Sequence, residues 1–260
     1  MTPKVYPFLI NILGDFATLG SVGAEWEQRN DVLQKRMKPS SKTPDRPYLI
    51  VVRGLIFRHG DQIARAKSAV ELIYALHNKT KNMIAQSDDP GNGNLPPLIW
   101  LTSAWGVYLT PILECLTRQS INPCREVRTT ALSLLQRLLL LPDLLPPQSP
   151  ETAYWPEVVF DKSLLHLINE LLRPEVFASD KRGMGETRVI AQGLLCKIYL
   201  HCLGRLSEED TTSNGKVALA VWGDILDVLI RLIGSGQKDV VVTSHFKYLL
   251  IVRRKRYLSH

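Results

Sequence analysis

The feature that most constrains this chain is a helical pattern that occurs twice, 60 residues apart. Residues 126–138 (EVRTTALSLLQRL) and 186–198 (ETRVIAQGLLCKI) align without a gap. Each copy opens with Glu-x-Arg and then places apolar residues three and four positions apart, which is the spacing of one helix face. The equivalent apolar residues are Ala131, Leu134, Leu135 and Leu138, followed by Ala191, Leu194, Leu195 and Ile198. Because a helix with one apolar face must bury it against a neighbour, the repeat predicts stacked helical units.

A third, looser copy of the pattern lies upstream. Ala69, Leu72, Ile73 and Leu76 repeat the apolar spacing but lack the Glu-x-Arg opening. Stretches in which apolar and polar residues alternate, as they do in half-buried β-strands, are scarce. We therefore predict an all-α fold, an armadillo- or HEAT-like α-solenoid of antiparallel helix layers.

Proline, glycine and polar residues divide the chain into four parts. We predict N-terminal helical layers over 1–86, a flexible loop over 87–97, a helical repeat region over 98–237 and a divergent basic tail over 238–260. Two helices separated by glycines are expected within 5–38. In the repeat region, Asn122 is expected to cap a helix that has Pro123 at its first position. Residues 174–185 (PEVFASDKRGMG) are expected to form a linker.

Charge and cysteine content exclude several classes of protein. The net charge of +7 is spread along the chain, so it indicates a basic surface and gives no reason to expect nucleic-acid binding. No apolar run approaches the roughly 20 residues that span a bilayer. Cys115, Cys124, Cys196 and Cys202 show no metal-ligand spacing and are expected to be reduced, mostly buried thiols of a cytosolic protein.

Catalytic motifs were sought and none was complete. The segment 57–61 (FRHGD) resembles the nucleophile segment of histidine phosphatases, in which His59 would attack a phosphate. That chemistry also needs an acid for the leaving group, and the sequence has no later His-Asp or His-Glu pair. Phosphate-binding loops, dinucleotide-binding glycine motifs and H-E-x-x-H are absent from the sequence. We predict no catalytic, cofactor-binding or metal-binding residues; for 57–61 we expect a junction between two helices, with Gly60 ending one and Asp61 capping the next.

Five ordered elements between Trp105 and Asp227 carry a family resemblance. Residues 125–137 (REVRTTALSLLQR) form the first, and the later elements are Trp155 with Phe160-Asp161-Lys162, Met184-x-Glu186-Thr187-Arg188, Leu194-Leu195-x-Lys197-x-Tyr199-Leu200, and Trp222-x2-Ile225-Leu226-Asp227. In this order they resemble the region downstream of the catalytic domain in large Golgi-type Arf guanine-nucleotide exchange factors. That family includes the fungal Gea proteins, plant GNOM and the animal Golgi brefeldin A-resistance factor, and the segment GDFATLGSVGAEWEQRND is similar to fungal members.

The resemblance implies a role without catalysis. In that family exchange activity resides in a separate domain, which nothing in these 260 residues resembles, and the downstream helical regions are associated with Golgi and lipid-droplet membranes and with regulation of exchange. Expected partners are therefore other domains of the parent protein, Arf-pathway proteins or a membrane surface, with no nucleic acid, small-molecule substrate or cofactor. The expected location is cytoplasmic and peripheral on Golgi membranes. The alternative is an unrelated armadillo-like scaffold that binds peptides.

Two groups of charged residues are candidates for special roles. Glu126, Arg128, Glu186 and Arg188 are predicted to be structural, forming exposed pairs between the first turns of neighbouring helices, while Leu135 and Leu195 are predicted to be buried. The consecutive cations Arg253, Arg254, Lys255 and Arg256 follow an apolar stretch and are a possible contact for anionic lipids. An ordinary final helix with a solvated basic end is the alternative for this tail.

Overall fold

A computed structural model describes residues 5–36, 61–79, 105–141, 155–212 and 217–235, and every regular element in these ranges is helical. The predicted all-α architecture is confirmed. The elements, in chain order, are α1 (Val5–Arg36), α2 (61–79), α3 (a π-helical turn Trp105–Leu109 continuing as Thr110–Gln119), α4 (Arg125–Leu139), α5 (π-helical Glu157–Leu165 continuing as His166–Leu172), α6 (Pro174–Ser179), α7 (Lys181–Thr212) and α8 (Val217–Gly234).

Helices α1, α3, α5 and α8 form one layer, in which each helix contacts the next. Contacts between α1 and the segment containing α3 pair Tyr6 with Tyr108, Ile10 with Cys115, Gly14 with Gln119 and Ala17 with Asn122. Because both residue numbers rise together, the two helices run in the same direction. The hydroxyl groups of Thr117 and Ser163, 2.9 Å apart, join α3 to α5.

Helices α4 and α7 form the second layer, and α2 lies beside the first turn of α4 through Lys67 and Glu126. The core lies between the layers. The predicted apolar face of α4 is buried, and Leu135 and Leu195 are fully buried as predicted. In the looser copy on α2, Ala69 and Ile73 are buried, but Leu72 is exposed, so the match to α4 fails at that position.

The predicted break within 5–38 is wrong, because α1 continues through its glycines to Arg36. Gly14 and Gly20 mark places where neighbouring elements approach α1 closely. A Cβ atom at Gly20 would lie 2.7 Å from Val127 Cγ2 and 3.0 Å from Ala66 Cβ. Their small size therefore serves packing between helices rather than a turn.

The predicted linker 174–185 is also helical for most of its length. Proline at its first position starts the short helix α6, and α7 begins at Lys181, which is earlier than the predicted start at 185. The span Lys181–Leu206 of α7 is long and apolar enough to cross a membrane by length and composition. However, α7 buries side chains against α4, α5, α6 and α8, as the central helix of a helical stack does.

Candidate functional site: buried arginines between helical units

The turn before α4 is built around Asn122, although that residue does not cap the helix. Cys124, in extended conformation, precedes Arg125 as the N-cap residue, so the predicted start at Asn122 and Pro123 is wrong. The Asn122 side-chain oxygen accepts a hydrogen bond from the Cys124 N–H at 2.9 Å, which is the pattern of an Asx turn. Its amide nitrogen donates to Gln119 Oε1 at 3.0 Å. The side chain therefore stabilises the turn and leaves its backbone carbonyl for another donor.

Arg128 fills the space behind this turn and is fully buried. Its Nη1 donates to the carbonyl oxygens of Asn122 at 2.7 Å and Pro123 at 3.0 Å. The other two nitrogens reach the neighbouring unit, where Nε donates to Thr187 Oγ1 at 3.0 Å and Nη2 pairs with Asp180 Oδ2 at 2.5 Å. All three guanidinium nitrogens are thus hydrogen-bonded, which is what a buried arginine requires.

Asp180 caps α7 and binds Arg128 at the same time. Its Oδ1 accepts from the Gly183 N–H at 3.0 Å, while its Oδ2 faces the guanidinium. Burial raises the pKa of the Asp180 carboxyl, but the hydrogen bonds from Gly183 and Arg128 and the positive charges of Arg128 and Arg125 outweigh burial, so that its pKa lies below the ordinary value. A Cβ atom at Gly183 would collide with both the Asp180 carboxylate and the Arg128 guanidinium, so this position requires glycine.

Arg188, the equivalent residue in the second copy, is also buried but has different partners. Its Nε and Nη2 donate to the carbonyl oxygen of Leu171 at 2.9 and 2.7 Å, close to the C-terminus of α5. The guanidinium carbon lies 4.1 Å from the centre of the Phe177 ring, which provides a cation–π contact. Burial lowers the pKa of Arg188. Arg188 therefore joins α7 to α5 and α6 through a carbonyl and an aromatic ring.

The two glutamates of the repeat lie at the surface. Glu126 pairs with Lys67 of α2 at 3.5 Å, and Glu186 pairs with Arg125 of α4 and, at 3.7 Å, with Arg182. The expectation of exposed pairs is wrong for Arg128 and Arg188. It is also wrong to place Glu186 in a first turn, because Asp180 starts α7 five residues earlier than the alignment predicted.

A cleft of about 530 Å³ lies between α1, α3 and α5. Its charged and titratable side chains are Glu114, Arg118, Asp161, Lys162, His166 and Glu170. Burial, then the charges of Asp224 and Glu157, raise the pKa of Asp161, while Lys162 lowers it. Acids and bases are mixed around the cleft, so it favours no ligand charge, and we assign it no site. Within the described residues, no group of histidine, cysteine or acidic side chains is placed to hold a metal ion.

Two candidates from the sequence lie outside the described residues. These are His59 and the basic run Arg253 to Arg256. All four cysteines fall within the described ranges, where they are buried and form no disulfide.

Comparison with known proteins decides the family. Residues 109–259 match the family described as GBF1-like, tetratrico peptide repeat region. The chain belongs to this family. It is 26% identical over 186 residues to the Golgi-specific brefeldin A-resistance guanine nucleotide exchange factor 1 homolog of Caenorhabditis elegans. That alignment covers 70% of this chain and 9% of the relative, so the chain spans a small part of the relative's length. No solved structure matches the chain.

Membership in this GBF1-like family removes the alternative of an unrelated scaffold and gives the repeat a name. The description specifies tetratricopeptide units, whose usual period is about 34 residues, whereas the Glu-x-Arg pattern recurs after 60. The matched region contains both buried arginines, Asp180 and Gly183.

Sequence reasoning missed the acidic half of the contact between units. Asp180 was read as part of a linker, although an aspartate just before an apolar-periodic run is a helix-start signal that could have identified it. Thr187 was aligned with Val127 as part of the repeat, but its hydroxyl donates to the Gly183 carbonyl at 2.8 Å and accepts from Arg128. No local signal in the sequence connects Asp180 to Arg128, which lies 52 positions earlier.

Proposed function

We propose that this chain is a non-catalytic part of an Arf guanine-nucleotide exchange factor of Golgi vesicle trafficking, where it regulates exchange and recruits the protein to membranes. The observation that carries this proposal is the match of residues 109–259 to the GBF1-like family. The printed name of the nematode relative supports the Golgi and exchange-factor context. The sequence resemblance implies that exchange itself belongs to another domain.

The geometry supports a role that depends on surfaces. The charged residues that repeat in the sequence form contacts between helices, so they hold neighbouring units in register rather than face a substrate. Proposed partners are other domains of the parent exchange factor, Arf-pathway proteins, and Golgi or lipid-droplet membranes. The proposed location is cytoplasmic and peripheral on Golgi membranes, without a nucleic-acid, small-molecule or cofactor partner.

The proposed membrane contact is the basic run Arg253, Arg254, Lys255 and Arg256. Each cation near an anionic leaflet contributes about 1 kcal/mol, and the apolar stretch FKYLLIV before it would add burial. Because exposed charges are screened by salt, binding through this run should weaken as ionic strength rises.

The non-catalytic part of the proposal is tested by nucleotide release from Arf. The purified chain is added to Arf loaded with a fluorescent GDP analogue, beside a catalytic exchange domain as positive control. We expect release at the spontaneous rate. Accelerated release that depends on the concentration of the chain would contradict the proposal.

Membrane recruitment is tested by imaging the full chain, fused to a fluorescent protein, beside a Golgi marker. The test variant reverses Arg253, Arg254 and Arg256 to Glu, and we expect it to lose both Golgi co-localisation and flotation with anionic vesicles. A diffuse signal from the unaltered chain would contradict the recruitment role.

A matched control separates the tail from general charge. Reversing Arg65, Arg137 and Lys197, which are exposed on α2, α4 and α7, changes the net charge equally. This control should remain on membranes. If both variants leave membranes together, bulk charge accounts for recruitment, and the role of the tail is wrong.

A further inference from the structure

Helix α1 carries a continuous apolar stripe on its outer side. Its residues recur at i, i+3, i+7, i+11 and i+14, and all are between 37% and 65% exposed: Val5, Phe8, Ile12, Phe16 and Leu19. At a rise of about 1.5 Å per residue, the stripe is about 21 Å long. Single exposed apolar residues are ordinary, but a stripe with two phenylalanines indicates a binding surface.

The stripe lies on the opposite side of α1 from α3. The inner side of α1 presents Tyr6, Ile10, Gly14 and Ala17 to the segment containing α3. Helix α3 contacts α1 on one side and α5 on the other, so inner helices of this layer have two covered sides. No described helix covers the outer side of α1. We call the five residues of the stripe the α1 face.

Helix α8 has a similar surface at the other end of the same layer. Its exposed Leu219 and Ile230 are 11 residues apart, as are Phe8 and Leu19 on α1, so each pair lies on one side of its helix. Gly223 lies between them, and a Cβ atom placed there would meet no atom within 4 Å. Leu226, which is half-buried, completes the surface. We call Leu219, Gly223, Leu226 and Ile230 the α8 face.

These two faces fit each other by continuing a contact that exists within the chain. Helices α1 and α3 pack side by side and parallel, and Asn169 with Arg231 joins α5 to α8 in the same layer. If a second α1 extended this layer beyond α8, Val5, Ile12 and Phe16 would align with Leu219, Leu226 and Ile230 in one register, since each pair differs by 214 positions. Phe8 would then lie near Gly223, whose missing side chain leaves room for a large ring.

We propose that the α1 face of one copy binds the α8 face of a second copy, parallel and side by side, so that the helical layer continues from one molecule into the next. Such an interface joins two different surfaces, so it is heterologous and each copy retains one unoccupied face. Association therefore proceeds beyond a dimer as concentration rises. This interaction is independent of the proposed membrane role.

The experiment measures the mass of the full chain by sedimentation over a range of concentrations. The unaltered chain should exceed the 29.3 kDa of one molecule and continue to grow with concentration. Two variants each remove one face: Phe8→Asp with Phe16→Asp, and Leu219→Asp with Ile230→Asp. Each variant alone should be a monomer, and their mixture should form a 1:1 complex of twice the mass, because one intact face remains on each.

Ile190→Asp is the matched control, since Ile190 is an exposed isoleucine on α7 that belongs to neither face. It should associate as the unaltered chain does. If one double variant loses its helical circular dichroism, the other still tests the interface from the opposite helix. A monomeric unaltered chain at all concentrations overturns the proposal, as does growth that stops at a dimer. A mixture of the two variants that remains monomeric also overturns it.

Discussion

The first turn of α4 and the second turn of α7 contain the same Glu-x-Arg sequence, yet they bury their arginines in different surroundings. Arg128 meets a carboxylate, a hydroxyl and two carbonyl oxygens. Arg188 meets one carbonyl oxygen and an aromatic ring. The difference arises because the unit after α4 supplies Asp180, whereas Arg188 contacts the end of α5 and α6.

This comparison teaches that equivalent positions in a repeat can make different energetic contributions. A buried charge with a carboxylate partner leaves that partner buried and unpaired when the arginine is removed. A buried arginine bound only to a carbonyl leaves behind a neutral acceptor, whose cost is smaller. The two arginines should therefore separate clearly in measured stability.

Arg128→Met should have the largest effect. It removes four hydrogen bonds and leaves Asp180 without its guanidinium, so we expect a loss of about 3–5 kcal/mol in the free energy of unfolding. Urea denaturation followed by circular dichroism measures this loss. Arg128→Lys should recover only part of it, because an ammonium cannot reproduce the planar fork. A loss of less than 1 kcal/mol would mean that Arg128 is not buried as described.

Arg188→Met should cost less, about 1–3 kcal/mol, because the principal group left unsatisfied is the Leu171 carbonyl. The same urea titration gives the value, and the Phe177 contact predicts that Phe177→Leu removes part of the arginine's contribution. If Arg188→Met costs more than Arg128→Met, the distinction between the two sites is wrong.

Gly183→Ala tests the Asp180 side of the comparison without changing a charge. Its Cβ must displace Asp180 or Arg128, so we expect a loss of about 1–3 kcal/mol. Gly204→Ala on the same helix is the control, since its Cβ would meet nothing within 4 Å. That substitution should instead stabilise the chain by about 0.5–1 kcal/mol, because alanine is the better helix former. Effects of equal sign at both glycines would contradict the close packing at Gly183.

The lowered pKa of Asp180 predicts a smaller, pH-dependent difference. Its pKa in the folded chain lies below that of the unfolded chain, so its contribution to stability is fully present above about pH 4 and is lost as the pH falls through the folded pKa. Thermal unfolding of the chain and of Asp180→Asn, compared from neutral to acid pH, measures this. The gap between them should narrow with acidification. A gap that does not change with pH would show that Asp180 contributes through packing alone.

The smallest effects belong to Glu126→Ala and Glu186→Ala. Both glutamates form exposed pairs, which contribute about 0–1 kcal/mol and weaken with salt. Single substitutions should leave the fold intact and shift the urea midpoint slightly at low ionic strength. A large shift at either position would place that glutamate in the same energetic class as Arg128.

Apolar periodicity predicted the helical layers and the buried leucines because that pattern is local in the sequence. Leu135 and Leu195 could be assigned to the core from their spacing alone. The partners of Arg128 could not, because Asp180 belongs to a different unit and its approach depends on how α7 packs against α4. Glycines misled the reading of α1 for a similar reason: Gly20 serves Val127 and Ala66, and neither neighbour is visible along α1.

The links between Lys67 and Glu126, Arg125 and Glu186, and Arg128 and Thr187 each join positions 59 or 61 residues apart. Each unit is therefore linked to its immediate neighbour, as in a one-dimensional array. In such an array, cooperativity depends on the strength of each junction rather than on one global core. The Arg128 contacts form much of the junction between α4 and α7, so weakening them changes the way the molecule comes apart. The two ends can then exchange amide hydrogens and unfold as separate events instead of one.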